Sequence, residues 1–164
     1  MSHIVCVSQS HINQYLTVKS EHDEQQATIK ALNNLNKTLN PSVPYDAFFI
    51  TLNKNLVKMY QIRNIATKSI SEFLNSPQLT RNIAKNKEFL RNRGTSIRPL
   101  LEDCHKKSKD VLFHALELIE TAVSENTINE ERYRILSKTY TTHYEYNEDL
   151  FKYMLDEIIS DVLE

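Results

Sequence analysis

Two side chains in the middle of this 164-residue chain have the types and the spacing for chemistry on a phosphate. Arg98 and His105 are seven residues apart, so on a helix they project from one face, two turns apart. A histidine can serve as general acid or base near neutral pH, and an arginine can stabilise negative charge on a phosphate. Further phosphate contacts would come from the surrounding basic residues, which are Arg81, Lys85, Lys87, Arg91, Arg93, Lys106, Lys107 and Lys109.

The Arg-x6-His spacing of Arg98 and His105 resembles the signature of HEPN ribonucleases. The resemblance implies a small helical bundle that usually dimerises to form a shared site. It also implies that His105 is the general acid or base and that Arg98 stabilises the phosphate during RNA cleavage. The structural alternative is that Arg98 lies in the entry turn of a helix and that His105 is simply solvated.

The sequence lacks the residue patterns that metal binding and phosphate binding by a glycine-rich loop would need. No two of the six histidines have the i, i+3 or i, i+4 spacing of a helical metal site, and the single glycine opposes a backbone phosphate cradle. The two cysteines, Cys6 and Cys104, are far apart, and Cys104 falls on an apolar helical seam where a reduced thiol acts as a small core residue. We therefore predict no metal, no cofactor and no disulfide, and a cytoplasmic location.

A buried charge is predicted within the segment from Tyr45 to Leu74. Its apolar positions recur at alternating steps of three and four residues, which predicts a helix buried along one face. Arg63 interrupts this seam, and a charge there must be paired or reach water. We expect Arg63 to form an ion pair with a carboxylate of the acidic last helix. The alternative is that it lines a polar cavity or faces a partner. The seam consists of Phe49, Leu52, Leu56, Met59, Arg63, Ala66, Ile70 and Phe73.

Charge is distributed unevenly along the chain. Residues 81–109 carry nine basic and three acidic side chains, whereas residues 110–164 carry four basic and thirteen acidic ones. Such asymmetry can mark a surface for nucleic acid or for an acidic partner. Alternatively, the basic and acidic helices neutralise one another within one bundle. The final segment is also rich in tyrosine, which is favoured at protein interfaces and at the rims of bundle cores.

The helices that must position these residues can be placed from the sequence. A chain with one glycine and four prolines has few residues for tight turns, which favours long helices over a β-rich fold. We predict an all-α, antiparallel bundle of four to five helices in a single domain, residues 1–164, with an N-terminal strand or apolar tail at Ile4–Val7. A break at residues 40–44 separates a helix capped at Ser20 or Asp23 from the Tyr45–Leu74 helix.

The second half of the chain predicts three more helical segments. A short basic helix runs from Pro77, capped by Ser76, to Asn92, and Gly94 supplies its left-handed end. A long helix follows from Thr95 or Ser96 to Ser124. Its seam, predicted to pack on the first seam, is Ile97, Leu101, Cys104, Ser108, Val111, Ala115, Leu118 and Ala122. A capping box of Thr127 and Glu130 opens the last helix, which runs unbroken or pauses near Asn147.

From these observations we expect a protein that binds another protein without catalysis of its own, such as an adaptor, an inhibitor or an immunity-type protein. The alternative is an RNA-directed protein, either a binder that uses residues 81–109 or a HEPN-like nuclease. A homodimer is left open, and no membrane partner is expected because no stretch approaches a membrane span. The predicted binding residues are Arg63, Arg81, Lys85, Arg91, Arg93, Tyr140 and Tyr144.

Overall fold

The computed structural model describes residues 9–74 and 87–159, and almost all of these residues are helical. Helix α1 spans Gln9–Thr38, α2 spans Pro44–Leu74, α3 spans Lys87–Ser124 and α4 spans Glu130–Tyr153, followed by a π-helical turn at Met154–Ile159. No strand occurs within these two ranges. The predicted all-α, antiparallel bundle is therefore confirmed, whereas the predicted strand or tail at Ile4–Val7 lies outside the described residues.

The two predicted seams form the centre of the bundle. In α2, six of the eight seam residues are buried, including Met59, Ala66 and Phe73, which have no exposed surface. In α3, six of the eight are buried as well, and Leu101 and Ala115 are fully covered. The α2 and α3 seam residues share both apolar core clusters, which confirms that these helices are partners.

Helix α1 is longer than the sequence indicated. It begins at Gln9, so the predicted cap at Ser20 or Asp23 is wrong. The reason is that the apolar face continues upstream: Val18 is buried in the core, and Tyr15 packs against the same cluster. The predicted break at 40–44 is confirmed, since Ser42 N–H donates to Asn40 Oδ1 at 3.0 Å in the turn that precedes α2.

Gly94 does not end a helix. It lies inside α3, and no described glycine has a positive φ, so the predicted helix end at Gly94 and the new cap at Thr95 or Ser96 are wrong. The apolar seam from Ile97 onward packs on α2 and stabilises the helix despite Gly94 and the internal Pro99. The burial of this seam outweighs the low helix propensities of the two residues, which cost about 1 kcal/mol for glycine and about 3 kcal/mol for proline. The Ser76 cap and the start at Pro77 lie outside the described residues.

An asparagine supplies the left-handed residue that ends α3. Asn126 has φ 61°. Its N–H donates to Val123 O at 3.2 Å, and the N–H of Thr127 donates to Ala122 O at 2.8 Å, the hydrogen-bond pattern of a Schellman motif. Helix α4 then starts at Glu130, and its N-terminal cap is Asn129, whose Oδ1 accepts from Arg132 N–H at 2.8 Å. The predicted cap at Thr127 is therefore wrong.

The core has two apolar clusters with a polar layer between them. One cluster, at the end of the bundle that includes Phe73 and Phe151, also buries Cys104, and this burial raises the pKa of the thiol to about 11. The other surrounds Met59 and Ile119. No helix in the described ranges combines the length and the apolar character needed to cross a membrane.

Candidate functional site

The polar layer of the core is built by one side chain from each of three helices. Arg63 of α2 is 5% exposed, and Ser108 of α3 and Asn147 of α4 are fully buried. Arg63 Nε donates to Asn147 Oδ1, and Asn147 Nδ2 donates to Ser108 Oγ at 3.0 Å. Arg63 Nη2 also donates to the carbonyl oxygen of His143 at 3.3 Å. Each of these side chains thereby has a hydrogen-bond partner, as buried polar groups require.

Aromatic faces cover the rest of the Arg63 guanidinium. Its central carbon lies 4.5 Å from the ring centroids of both Tyr60 and Tyr146, a distance suited to cation–π attraction. Burial lowers the pKa of Arg63, while its tyrosine neighbours oppose that shift. Burial, and then the Arg63 charge, lower the pKa of His143, so this imidazole is neutral at pH 7 and adds no second cation to the layer.

The predicted ion pair of Arg63 is wrong. Within the described ranges no carboxylate forms an ion pair with it, and its partners on α4 are an amide and a carbonyl oxygen. Arg63 instead forms one wall of a polar pocket of about 160 Å³ that also contains Glu21, Glu24 and Tyr146. Tyr146 donates its hydroxyl to Glu21 at 3.1 Å, so this carboxylate faces Arg63 across a tyrosine ring. The small volume and mixed charge suit bound water better than a larger ligand.

Arg98 and His105 both lie on α3, as the nuclease hypothesis requires. Arg98 is exposed, whereas His105 packs against α4, its ring stacked on Tyr144 with a centroid distance of 5.9 Å. His105 Nε2 lies 3.1 Å from the Tyr144 hydroxyl oxygen and 3.3 Å from Glu148 Oε2. A substrate would therefore have to use Nδ1 or displace Glu148. The HEPN-like activity stays a prediction.

The basic block is described only in part. Arg81 and Lys85 lie outside the described residues, and so do the side chains of Arg91 and Arg93, whose backbone belongs to α3. Lys106, Lys107 and Lys109 are exposed. Lys107 pairs with Asp103 one turn earlier at 2.9 Å. The binding roles predicted for the four arginine and lysine residues at 81–93 stay predictions.

The two tyrosines predicted to bind a partner, Tyr140 and Tyr144, differ in how far they are buried. Tyr140 is 3% exposed and donates its hydroxyl to Leu52 O, and burial raises its pKa. It is therefore a core residue with no ring face open to a partner, which corrects its predicted role. Tyr144 is half-buried, and its hydroxyl donates to Glu148 Oε2 at 3.0 Å. It could contribute an edge to a contact on the α3–α4 face.

An open depression lies between the start of α2 and the second half of α3. This groove has a volume of about 450 Å³. Its floor is apolar, with Ala47 and Phe48 from α2 facing Leu118 and Ala122 from α3. The acidic side chains on its wall are Glu117 and Glu125, and the other lining residues are Pro44, Thr51, His114, Thr121 and Thr127. We refer to it as the α2–α3 groove.

Known proteins give no guide to this site. Family models, curated proteins and solved structures include no match to the chain. Function must therefore be argued from the chain's own residues. Among residues 9–74 and 87–159, no three histidine, cysteine, aspartate or glutamate side chains cluster closely enough to hold a metal ion.

Sequence reasoning missed Asn147 and the α2–α3 groove. The sequence left open whether the last helix pauses near Asn147 or runs on, and α4 runs unbroken through this residue. Its spacing could have revealed its burial, since it lies seven residues after Tyr140 and four before Phe151, both on the core face. The groove depends on which helices are neighbours, and a residue such as Phe48 carried no signal of its own beyond being apolar.

Proposed function

We propose that the protein is a non-catalytic binding module for a protein segment that carries apolar residues flanked by lysine or arginine. The observation that supports this proposal is the chemistry of the α2–α3 groove. Its apolar floor matches the hydrophobic face of a helix, and its acidic wall matches basic flanking residues. Neither Glu117 nor Glu125 has an ion-pair partner within the described ranges, so both carboxylates are free to meet a cation.

The dimensions of the groove agree with such a ligand. Its second wall extends from His114 of α3 to Glu125, the residue that follows the helix, which corresponds to about 16 Å at 1.5 Å per residue. A partner helix of about three turns would cover this length. Phe48 and Leu118 are half-buried in the free protein, so docking would remove the remaining apolar surface from water. The acidic groups would mainly set specificity and association rate.

The proposal is tested by selecting peptides from a random phage-displayed library on the immobilised protein and measuring their affinities. We expect apolar, basic peptides, and we expect Glu117→Lys combined with Glu125→Lys to weaken them by about tenfold or more, because the lysines repel the ligand. Glu102→Lys combined with Glu145→Lys is the matched control, since both carboxylates are exposed and outside the groove.

The proposal fails if the selected peptides lack basic residues or bind the groove variant as well as the wild type. Purification of the protein from cells with RNA, and without any protein in stoichiometric amount, would also count against it. That second result would favour the RNA-directed alternative.

A further inference from the structure

A second depression lies farther along the same pair of helices. It has a volume of about 330 Å³. Its apolar residues are Ile62 and Ile65 of α2 and Val111 of α3, and Ile65 is 49% exposed. The remaining lining residues are Lys58, Gln61, Lys107 and Asp110. This depression and the α2–α3 groove therefore share both of their helices.

The two depressions are built from the same helical positions. On α2, Thr51 lines the α2–α3 groove, and Lys58 and Ile65, at successive steps of seven residues, line the second depression. On α3, His114 and Lys107 are likewise seven residues apart. Residues at this spacing lie about two turns apart on one face of a helix, so both depressions open on the same side of the helix pair.

Asn55 connects the floors of the two depressions. It lies seven residues after Phe48 and seven before Ile62, and it is 3% exposed. Its Nδ2 donates to the carbonyl oxygen of Val111 at 3.0 Å, which joins α2 to α3 between the two depressions. The lining residues thus follow one line, from 47 to 65 on α2 and from 107 to 125 on α3, and each side is about 27 Å long at 1.5 Å per residue. We refer to this line as the extended groove.

The charge of the extended groove changes sign along its length. The two glutamates of the α2–α3 groove give one end a charge of −2. Toward the other end, α2 presents the exposed lysines Lys54 and Lys58, and neither forms an ion pair in the part of the chain that the structure describes. Lys107 is neutralised by Asp103, and Asp110 offsets one of the two free lysines. Two lysines and one aspartate leave this end with a charge of +1.

We propose that the occupant of the extended groove is one amphipathic helix of about 18 residues from another protein, acidic near its N-terminus and basic near its C-terminus. The inference rests on the proposed function, because it extends the same binding site. A helix lodged between two others repeats its contacts about every 3.5 residues, as the lining positions do here.

The charges also define the direction of the bound helix. Its basic end must meet Glu117 and Glu125, and its acidic end must meet Lys54 and Lys58. Acidic residues stabilise the N-terminus of a helix and basic residues its C-terminus. The bound helix therefore runs antiparallel to α2, with its C-terminus beside the start of α2.

The test is selection on the immobilised full chain from a phage-displayed library of helix-forming peptides of about 20 residues. We expect peptides with apolar residues every three to four positions, an acidic first half and a basic second half. Fluorescence anisotropy then gives the affinities of the free peptides. Removal of the acidic half is expected to weaken binding by about tenfold or more, because the contacts beyond the α2–α3 groove are lost.

Charge reversal on α2 separates the two ends of the extended groove. Lys54→Glu combined with Lys58→Glu is expected to weaken the full-length peptides by about tenfold, because the glutamates repel their acidic half. The same variant should not weaken the shortened basic peptides. Lys30→Glu combined with Lys138→Glu is the matched control, since both lysines are exposed and line neither depression.

An apolar substitution tests the second depression directly. Ile65→Ser is expected to weaken the full-length peptides, whereas Ile135→Ser on α4, at a residue that is 52% exposed, leaves their affinity unchanged. Circular dichroism checks that all variants are as helical as the wild type.

The outcomes distinguish this inference from the proposed function. Selected peptides whose acidic half adds no affinity, or whose charges have the opposite order, overturn the inference. Unchanged binding of the full-length peptides to the Lys54 and Lys58 variant overturns it as well. If basic peptides still depend on Glu117 and Glu125, the proposed function survives those results. Loss of that dependence would remove both proposals.

Discussion

At the scale of single residues, Arg63 shows how a buried cation is accommodated without a carboxylate. Its charge is met by the dipoles of the Asn147 amide and the His143 carbonyl and by the faces of two tyrosine rings. Removing an arginine from water is costly unless such groups are already in place. The burial of Arg63 could be predicted from its place in the helical seam. Its partners could not, because they come from a helix some eighty residues away.

A double-mutant cycle tests the coupling of Arg63 to Asn147. Arg63→Met leaves the Asn147 carbonyl oxygen buried without its donor, and we expect the free energy of unfolding to fall by about 2 to 3 kcal/mol. Arg63→Met combined with Asn147→Leu removes both groups, and should cost less than the sum of the single changes by about 1 kcal/mol or more. Urea unfolding at pH 7 gives these free energies.

Lys68→Met is the control for this cycle, because Lys68 is an exposed cation on the same helix. It should change stability by less than about 0.5 kcal/mol. Strictly additive effects at positions 63 and 147 would contradict the coupling, and would indicate that the layer contributes through packing alone.

At the scale of elements, α3 shows where reading a sequence locally fails. The interior of each seam was predictable, because the alternation of three and four residues is a property of consecutive positions. The ends were not, because Gly94 and Asn126 are both acceptable helix ends and only packing selects between them. Burial of the seam from Ile97 onward keeps Gly94 helical, and the link to α4 uses Asn126 instead.

Alanine at these two positions should have opposite effects. Gly94→Ala is expected to raise the free energy of unfolding by about 0.5 to 1 kcal/mol, because alanine is the better residue inside a helix. Asn126→Ala should lower it by about 1 kcal/mol, since an alanine at φ 61° is strained. Thermal or urea unfolding of both variants provides the comparison. A destabilised Gly94→Ala variant would place the helix end at Gly94 after all.

At the scale of the whole molecule, α1 is attached differently from the other helices. Of its described side chains only Val18 and Gln25 are buried. Much of its contact with α2 is polar: Gln25 Oε1 accepts from Thr67 at 3.0 Å and from Asn64 at 3.1 Å, and Asn36 Nδ2 donates to Ile50 O at 3.3 Å. Leu35, near the end of α1, is 49% exposed. The groove and the polar layer therefore belong to a core of three helices, with α1 packed on its side.

Native-state hydrogen exchange should reveal this difference. We expect the amides of the second half of α1 to exchange through an opening whose free energy lies at least about 2 kcal/mol below that of global unfolding, because little apolar surface holds them. Amides of α2 from Val57 to Thr67 serve as the internal reference, since they lie beside the core. Exchange of both helices through the same global opening would contradict this division.

The site illustrates which part of a function a sequence can indicate. The opposed charge blocks and the acidic second half of the chain were visible from composition. The apolar floor beside Glu117 and Glu125 could not be predicted, because it combines residues about seventy positions apart, such as Ala47 and Leu118. Periodicity identifies a helix face, whereas the groove arises from the space between two faces.

The burial of Cys104 has a consequence for the chemical ageing of the protein. With a pKa of about 11, only about one thiol in 10⁴ is ionised at pH 7, and the thiolate is the form that oxidants attack. The Cys104 thiol is also shielded from solvent, because its side chain lies among the residues of one apolar cluster. Oxidative damage at this position must therefore wait for the bundle to open, so the accumulation of oxidised Cys104 would record how often the molecule has opened over its lifetime.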